Sequence, residues 1–582
     1  MIVNTKNLTK SGWTLACILL TLILIIGISV HDDYGISFDE KVEIEMVFWQ
    51  LQSIGSGIDF REIPFDLEFY GIFFNGLSIL FFMGVDALRT VLSPFVPWLD
   101  QDLRSEAIYL DKHLFTFLFS SLSYIGISLF IKDLLSWKFA PIGILFLALT
   151  PRFWGHSFFN PKDIPFAALF IVVSYFGAQW TTRLVQDFYS DNLKIDQNKQ
   201  LLLGALSFGV LAGLLSCIRI GGLVVLGFAL ISFLTVCAVN HFRPNDRSLM
   251  IDQPSLSDRF DRKVLKRLIL FGGLVSTLCI FIVIALTPVA WGNPLGWLIA
   301  AVEYMSNHSW PGRTLTLGMA LPAQPSWFYL PVWFGVTIPL ATLLFAAIGL
   351  WQAWIQFPLR TIKHQNLIVW LTLQCFALPV IAIIKQATIY DGERQFLFVI
   401  PALIVFAMMG FSTLLGCFKN RPWYIACVAL TVAFYSMVMA EMKSLHPYEH
   451  IYFNSLARNV GISQNFETDY WVTSGREAMH WIDQQNEASA SVYAMFPHIL
   501  EPSTQPEIRL QAVPPTILDF PETDYPRPFY FLAYPRQILY SESGEPATPH
   551  PQDLLPQCET VFQVKRTIGS EVIPLTQVKQ CK

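Results

Sequence analysis

The chain has 582 residues, of which 53% are hydrophobic and only 14% charged, and its formal net charge is −5. A soluble chain carries about 25% charged residues, so this composition excludes an ordinary soluble protein. The acidic balance, with no basic block interleaved with aromatics, also excludes a track for nucleic-acid phosphates.

In chain order, apolar runs of roughly 18–22 residues recur, each long enough to cross a ~30 Å hydrocarbon core as a helix. They predict about eleven spans, near residues 13–30, 106–131, 137–150, 163–182, 200–217, 221–240, 267–288, 328–354, 367–384, 395–416 and 422–440. The first is too long, and too closely followed by further spans, to be a removable signal peptide. The fold class that follows is mainly α, a polytopic membrane protein with a small C-terminal α/β extracytoplasmic domain. The transmembrane domain occupies residues 1–445 and the C-terminal domain 446–582. Within the latter a helix is expected near 474–486 and strands near 528–533 and 559–565.

Lys and Arg set the orientation. They collect in one alternating set of connections: Lys6 and Lys10; Lys132 and Lys138; Arg183, Lys194 and Lys199; the 243–267 segment; Arg360 and Lys363; Lys419 and Arg421. That set should be cytoplasmic, which puts the N-terminus inside and residues 31–105, 151–162, 289–327, 385–394 and the C-terminal domain outside, here the periplasm. Residues 69–88 read as a span, but counting them so would reverse every later loop. The sequence is therefore read as two surface helices, 39–53 and 66–88, in the first outer loop, with the second unusually apolar for an interfacial helix.

Seven of the nine cysteines lie in or beside apolar helices, whereas Cys558 and Cys581 both fall in the C-terminal domain, where spacing alone does not decide whether they pair. No His/Cys cluster has metal-ligand spacing.

Polar residues crowd the outer side. The first loop supplies Ser37, Asp39, Glu40 and Tyr70; the second, running from Pro151 to Asp163, supplies His156, Asn160, Lys162 and Asp163. Arg219, Arg313, Asp391 and Arg394 follow, then His446 and Tyr448 after the last span. Each has a plainer structural role. Ser37 and Glu40 fit a capping box; Asn160-Pro161-Lys162-Asp163 fits a helix start; Arg219 fits a snorkelling side chain; Asp391 and Arg394 fit a surface ion pair. Asp39, in a first helical turn, sits where the macrodipole stabilises an anion, which suits a base. Together, an ionised carboxylate and several cations in one outer cavity suit a phosphate-bearing lipid: the cations neutralise the phosphate and the carboxylate takes a proton from an incoming hydroxyl.

The Asp39-Glu40 pair after the first span, the two surface helices, Pro151 to Asp163, Tyr390-Asp391-Gly392 with Arg394 and Phe396, and His446 through Tyr452 to Trp471 together resemble GT-C glycosyltransferases. They are similar to a bacterial branch of the protein O-mannosyltransferase and aminoarabinose-transferase group (glycosyltransferase family 39 and relatives). The sequence departs from that branch at Gln395, where a His is expected, so any donor contact by that His is missing here. The resemblance implies inverting transfer of a sugar from a polyprenyl-phosphate donor to a lipid, glycan or protein acceptor at the outer face of the inner membrane. It implies Asp39 as the base and assigns phosphate contacts to Lys162, Arg219, Arg313 or Arg394, with Glu40 beside the base. Tyr70, His156, Asn160, Asp163, Asp391, His446 and Tyr448 complete the expected substrate-binding set. No redox or acyl cofactor is required, and a divalent metal bridging the phosphate stays open. Two rival readings remain: a transporter or flippase of a lipid-linked or small polar substrate, and a non-catalytic envelope scaffold.

Overall fold

The computed structural model describes residues 5–56, 67–94, 106–189, 195–241, 262–308, 310, 312–324, 327–418, 420–485, 490–505, 508–512, 528–535 and 555–582. The long helices are α1 (Thr5–Val30), α2 (Phe38–Gln52), α3 (Phe73–Leu92), α4 (Ala107–Leu134), α5 (Ala140–Ala148), α6 (Pro151–Phe159), α7 (Asp163–Phe188), α8 (Ile195–Ile218), α9 (Val224–His241) and α10 (Arg262–Ala285). There follow α11 (Pro294–Asn307), the hairpin β1 (Arg313–Thr316) and β2 (Met319–Pro322), α12 (Tyr329–Thr337), α13 (Leu340–Ile355), α14 (Ile362–Lys385), α15 (Val399–Cys417) and α16 (Arg421–Leu445). Among the described residues ten helices are long and apolar enough to cross a membrane, or eleven if the bent pair α12–α13 is one span.

The expected 137–150 span differs in form. α5 has nine residues, about 13 Å of helix, too short to cross alone. Pro151, which fits at a helix start but not inside one, begins α6 immediately afterwards, and the two short helices together return the chain to the start of α7.

α3 passes the length and hydropathy test for a span, yet both of its ends are fastened to one end of the bundle. At its start the Gly71 and Ile72 amides donate to Cys217 O and Leu286 O, each at 2.9 Å, where α8 and α10 finish. At its end Arg89 makes a two-pronged ion pair with Asp111, both bonds 2.6 Å, in the first turns of α4. The Arg219–Asp163 ion pair joins the end of α8 to the start of α7. Gly126 of α4 packs on Ile171 of α7, while Asp133 accepts from Tyr175 and Gln179 further on. α4 and α7 are therefore parallel and start at the same end. α3 thus lies obliquely across that end, with Leu80, Met83, Leu88 and Val91 exposed on its outer face.

Small residues allow the tightest helix crossing. A Cβ at Gly349 of α13 would collide with Phe406 O, and one at Gly410 of α15 with Phe345 O, so these backbones touch directly.

After α16 the chain enters a mixed five-stranded sheet, order β4-β3-β5-β7-β6, with β3 (Ser491–Ala494), β4 (Arg509–Ala512), β5 (Phe529–Ala533), β6 (Glu559–Ile568) and β7 (Glu571–Cys581). β3 pairs in parallel with β4 and β5, and β7 antiparallel with β5 and β6. Helix α17 (Gly475–Gln484) packs on it. Cys558 and Cys581 form a disulfide. One apolar core runs without a break from Ala16 through the bundle to Val578 in the sheet.

Because both ends of α3 meet the same end of the bundle, a cysteine placed at Pro94 should react with a membrane-impermeant maleimide added from the side of the C-terminal sheet. Reaction only from the opposite side would show that α3 crosses.

Candidate active site

Loops and helix ends gather at the end of the bundle where α2 and α7 start. Ser37 and Glu40 form the expected capping box: the Ser37 amide donates to Glu40 Oε2 at 2.7 Å, and the Ser37 hydroxyl donates to Phe159 O at 2.8 Å. The cap thereby locks the start of α2 to the end of α6. Glu40 Oε1 lies 2.9 Å from His113 Nε2, fully inside the protein, and Glu40 does not line the cavity that Asp39 faces. Asp39, one residue earlier, keeps its carboxylate 20% exposed. It opens into a cavity of about 140 Å³ walled by Trp310, Tyr390, Tyr470 and Trp471, with Asp391 and Arg394 at its edge and Phe38, Val472 and Phe496 closing it. Trp310 and Tyr390 stack with ring centroids 4.4 Å apart.

Arg394 is the hub. Its guanidinium holds Asp391 at 2.9 Å and Asp163 at 3.4 Å, and reaches to 3.8 Å from Asp39. It also packs over Trp471 and Tyr390, 4.6 and 5.1 Å from the ring centroids. Burial opposes its charge, but Asp391 and Asp163 reverse that and hold it well above the ordinary arginine range. Asp391 has φ +60°, a left-handed conformation that an Asp tolerates and that here aims its carboxylate at Arg394. Arg219 is likewise buried, and Asp163 more than offsets the burial, raising its affinity for the proton.

Four of the cations at this end each hold a carboxylate. Arg152 pairs with Glu393 at 3.3 Å, Lys162 with Glu43 at 2.6 Å, Arg219 with Asp163, and Arg394 with Asp391. Asp39 shares Arg394 as one carboxylate more. An arriving phosphate therefore has to share Lys162, Arg219 and Arg394 with carboxylates that already hold them.

The other expected residues divide by place. Asn160 caps α7: its Oδ1 accepts from the Asp163 amide at 2.8 Å, and its Nδ2 donates to the Asp163 carboxylate at 3.0 Å. Lys162 lies over the Tyr70 ring at 4.3 Å. His156 sits behind the cavity wall, Nε2 at 2.8 Å from the Tyr470 hydroxyl. Arg313 opens the β1–β2 hairpin and is not among the cavity-lining residues. His446 and Tyr448 anchor the C-terminal domain instead. His446 bridges Asp33 at 2.9 Å and Glu449 at 2.8 Å, and the Tyr448 hydroxyl donates to Glu477 at 2.8 Å. Among the described residues no group of three or more His, Cys, Asp or Glu is placed to hold a metal ion.

Sequence reasoning missed Glu43, Asn75, Glu393 and Phe496. Glu43 follows Asp39 by four residues and so shares its helix face, a legible clue; Asn75 donates to its carboxylate at 2.5 Å. Phe496, from the sheet domain, meets Phe38 edge-on at 5.0 Å, a contact no local pattern announces.

No family model matches the chain, and no curated protein matches it. Among solved structures it is similar to ArnT from Cupriavidus metallidurans bound to undecaprenyl phosphate, with 13% identity and a TM-score of 0.46 over 98% of each chain. It is also similar to the Archaeoglobus fulgidus oligosaccharyltransferase. The structure tethered to an acceptor peptide matches at 10% identity and a TM-score of 0.36, over 76% of this chain and 55% of that one. The complex with Zn and sulfate matches at 12% and 0.37, over 77% and 54%. The chain thus spans about half the length of the archaeal protein. Likeness at this level assigns no chemistry.

Two outcomes are expected. Arg394→Gln, which takes from Asp391 its buried counter-charge and leaves Asp163 only Arg219, should destabilise the fold by about 3–5 kcal/mol in detergent melts. Burial works against protonation of His446, but Glu449 and Asp33 outweigh it and raise the pKa to about 9. A raised histidine contributes stability fully below its unfolded pKa of ~6.5 and loses it as pH climbs through about 9. The stability gap between the native chain and His446→Asn should therefore be full at pH 6 and close above pH 9.

Proposed function

We propose that this protein is an integral membrane glycosyltransferase of the GT-C type. It moves a sugar, with inversion, from a polyprenyl-phosphate-linked donor to an acceptor hydroxyl on the outer side of the cytoplasmic membrane. The observation that carries the reading is Asp39: a carboxylate in the first turn of α2, part-exposed in an aromatic-walled cavity and 3.8 Å from Arg394. Its neighbour Glu40 is engaged in the helix cap, so one carboxylate and not two is left for chemistry.

In this reading Asp39 accepts the proton of the acceptor hydroxyl as that oxygen bonds to the anomeric carbon. The bond from that carbon to the phosphate oxygen breaks, and the lipid phosphate leaves with the electron pair. Arg394, Arg219 and Lys162 stand where that charge develops. Their carboxylate partners keep them oriented before the donor arrives, and part of that pairing passes to the phosphate. The aromatic walls suit the faces of a sugar ring. α3, apolar on its outer side and lying across the cavity end, suits a substrate arriving from within the bilayer. The acceptor is a lipid, glycan or protein, the C-terminal domain is periplasmic and the N-terminus cytoplasmic. No cofactor is required by this route.

A transporter is the second reading. The pair α12–α13, bent by 118°, is the observation that favours it. Against it, the paired charges lie at the ends of the helices and not at mid-depth.

Mass spectrometry of envelope glycans and lipids from a deletion strain should reveal a missing sugar and an accumulated polyprenyl-linked donor. In vesicles supplied with that donor, Asp39→Asn should lower transfer by about 10²–10⁴-fold while expression and insertion stay intact. Full transfer by the variant would remove Asp39 as the base. Movement of the donor across the bilayer without sugar transfer would favour the transporter.

A further inference from the structure

The hydrogen bonds of Asn160 fix which way its amide points. Its Oδ1 accepts from two backbone N–H groups, Lys162 at 3.3 Å and Asp163 at 2.8 Å, and its Nδ2 donates to the Asp163 carboxylate at 3.0 Å. A reversed amide would set oxygen against the carboxylate and NH2 against both backbone donors. The same Nδ2 lies 3.3 Å from His156 Nδ1, four residues earlier on α6. A donor faces Nδ1, so Nδ1 accepts.

An imidazole whose Nδ1 accepts carries its one proton on Nε2. His156 Nε2 stands 2.8 Å from the Tyr470 hydroxyl, so the N–H donates and the hydroxyl accepts, its own proton turned away from His156. A second proton, on Nδ1, would point donor to donor at Asn160 Nδ2 in a buried place. The charged and titratable groups around the ring are already engaged. Arg152, one turn back on α6, pairs with Glu393, and His450, 6.0 Å away ring to ring, pairs with Asp469. The Glu449 carboxylate turns to His446 and Tyr34, and Asp163 and Arg394 lie beyond Asn160. The resulting chain runs from Tyr470 in the cavity wall through His156, Asn160 and Asp163 to Arg394 at the cavity edge. It closes on itself, because Arg394 packs over Trp471, the residue after Tyr470.

We propose that His156 is a positioning residue for the transfer reaction: as the neutral Nε2–H tautomer it ties the Tyr470 wall to the Asp163 carboxylate that holds Arg394. The role rests on the glycosyltransferase reading, whereas the tautomer does not. Without His156, Tyr470 loses the N–H that fixes its hydroxyl, and Asn160 loses one of the contacts that set Asp163 at 3.4 Å from Arg394. A misplacement of about 1 Å at a reacting centre is enough to cost roughly 10²-fold in rate.

Magic-angle-spinning NMR of the full-length protein in lipid vesicles, with isotope-labelled histidine, reads the tautomer without any turnover. The signal missing from His156→Gln belongs to His156. It should show a protonated Nε2 and a bare Nδ1 at pH 7 and still at about pH 5.5, roughly one unit below the ordinary histidine value of ~6.5. A proton on Nδ1 at either pH would overturn the proposal. In vesicles supplied with the donor, His156→Phe keeps the bulk of the ring and loses both hydrogen bonds. It should lower kcat by about 10–100-fold with KM little changed. His156→Gln, whose amide N–H donates from the Nε2 position, should recover most of that loss. Equal losses in the two variants, or a loss confined to KM, would remove the positioning role and leave Asp39 as the base. No transfer by the native chain would sink the glycosyltransferase reading and the role with it, and leave the tautomer standing.

Discussion

The site end of this protein depends on keeping Arg394 charged inside the fold. A guanidinium out of water is costly unless carboxylates surround it, and Arg394 collects Asp391, Asp163 and Asp39 from three different parts of the chain. Each partner belongs to a helix start or a tight turn. Asp163 opens α7, Asp39 opens α2, and Asp391 sits in a left-handed turn just before Arg394 itself. Satisfying one ion therefore fixes the relative positions of α2, α7 and the α14–α15 connection. Arg219 adds the end of α8 through the same Asp163.

This arrangement alters what a cluster of cations means. Read as residues along a chain, Lys162, Arg219 and Arg394 suggest a basic pocket. In space each is held by a carboxylate, and the outcome is orientation rather than raw positive potential. Preorganised charge of this kind does not have to be reoriented when new charge appears next to it. It also leaves Asp39 as the carboxylate that both shares a cation and faces open space.

The C-terminal sheet completes the cavity and is not an appendage. Tyr470, Trp471 and Val472 come from the connection into it and Phe496 from within it, and Arg476 on α17 reaches back to Glu106 at 2.9 Å and to Asp32 O. Lys41 on α2 pairs with Glu501 at 3.3 Å. The walls around Asp39 are thus built partly from residues more than 400 positions later in the chain, and one apolar core joins the two regions.

The sequence by itself determined the helical membrane architecture, because apolar runs of bilayer length leave the backbone no other way to satisfy its hydrogen bonds. It also determined the C-terminal elements near 474–486, 528–533 and 559–565, found as α17, β5 and β6, and the capping role of Glu40 through a three-residue spacing. Hydropathy alone does not place α3, since a run of apolar residues carries no record of where its two ends are tied. That was decided by the Arg89–Asp111 pair and by the amides at Gly71 and Ile72. The split of the third crossing into α5 and α6, the pairing of Cys558 with Cys581, and the placing of His446 and Tyr448 at the domain anchor were likewise tertiary decisions. So was the pairing of Lys162, Arg219 and Arg394 with carboxylates. Periodicity and capping act over a few residues, where sequence records them. An ion pair or a cavity wall between residues hundreds of positions apart exists only once packing has brought them together.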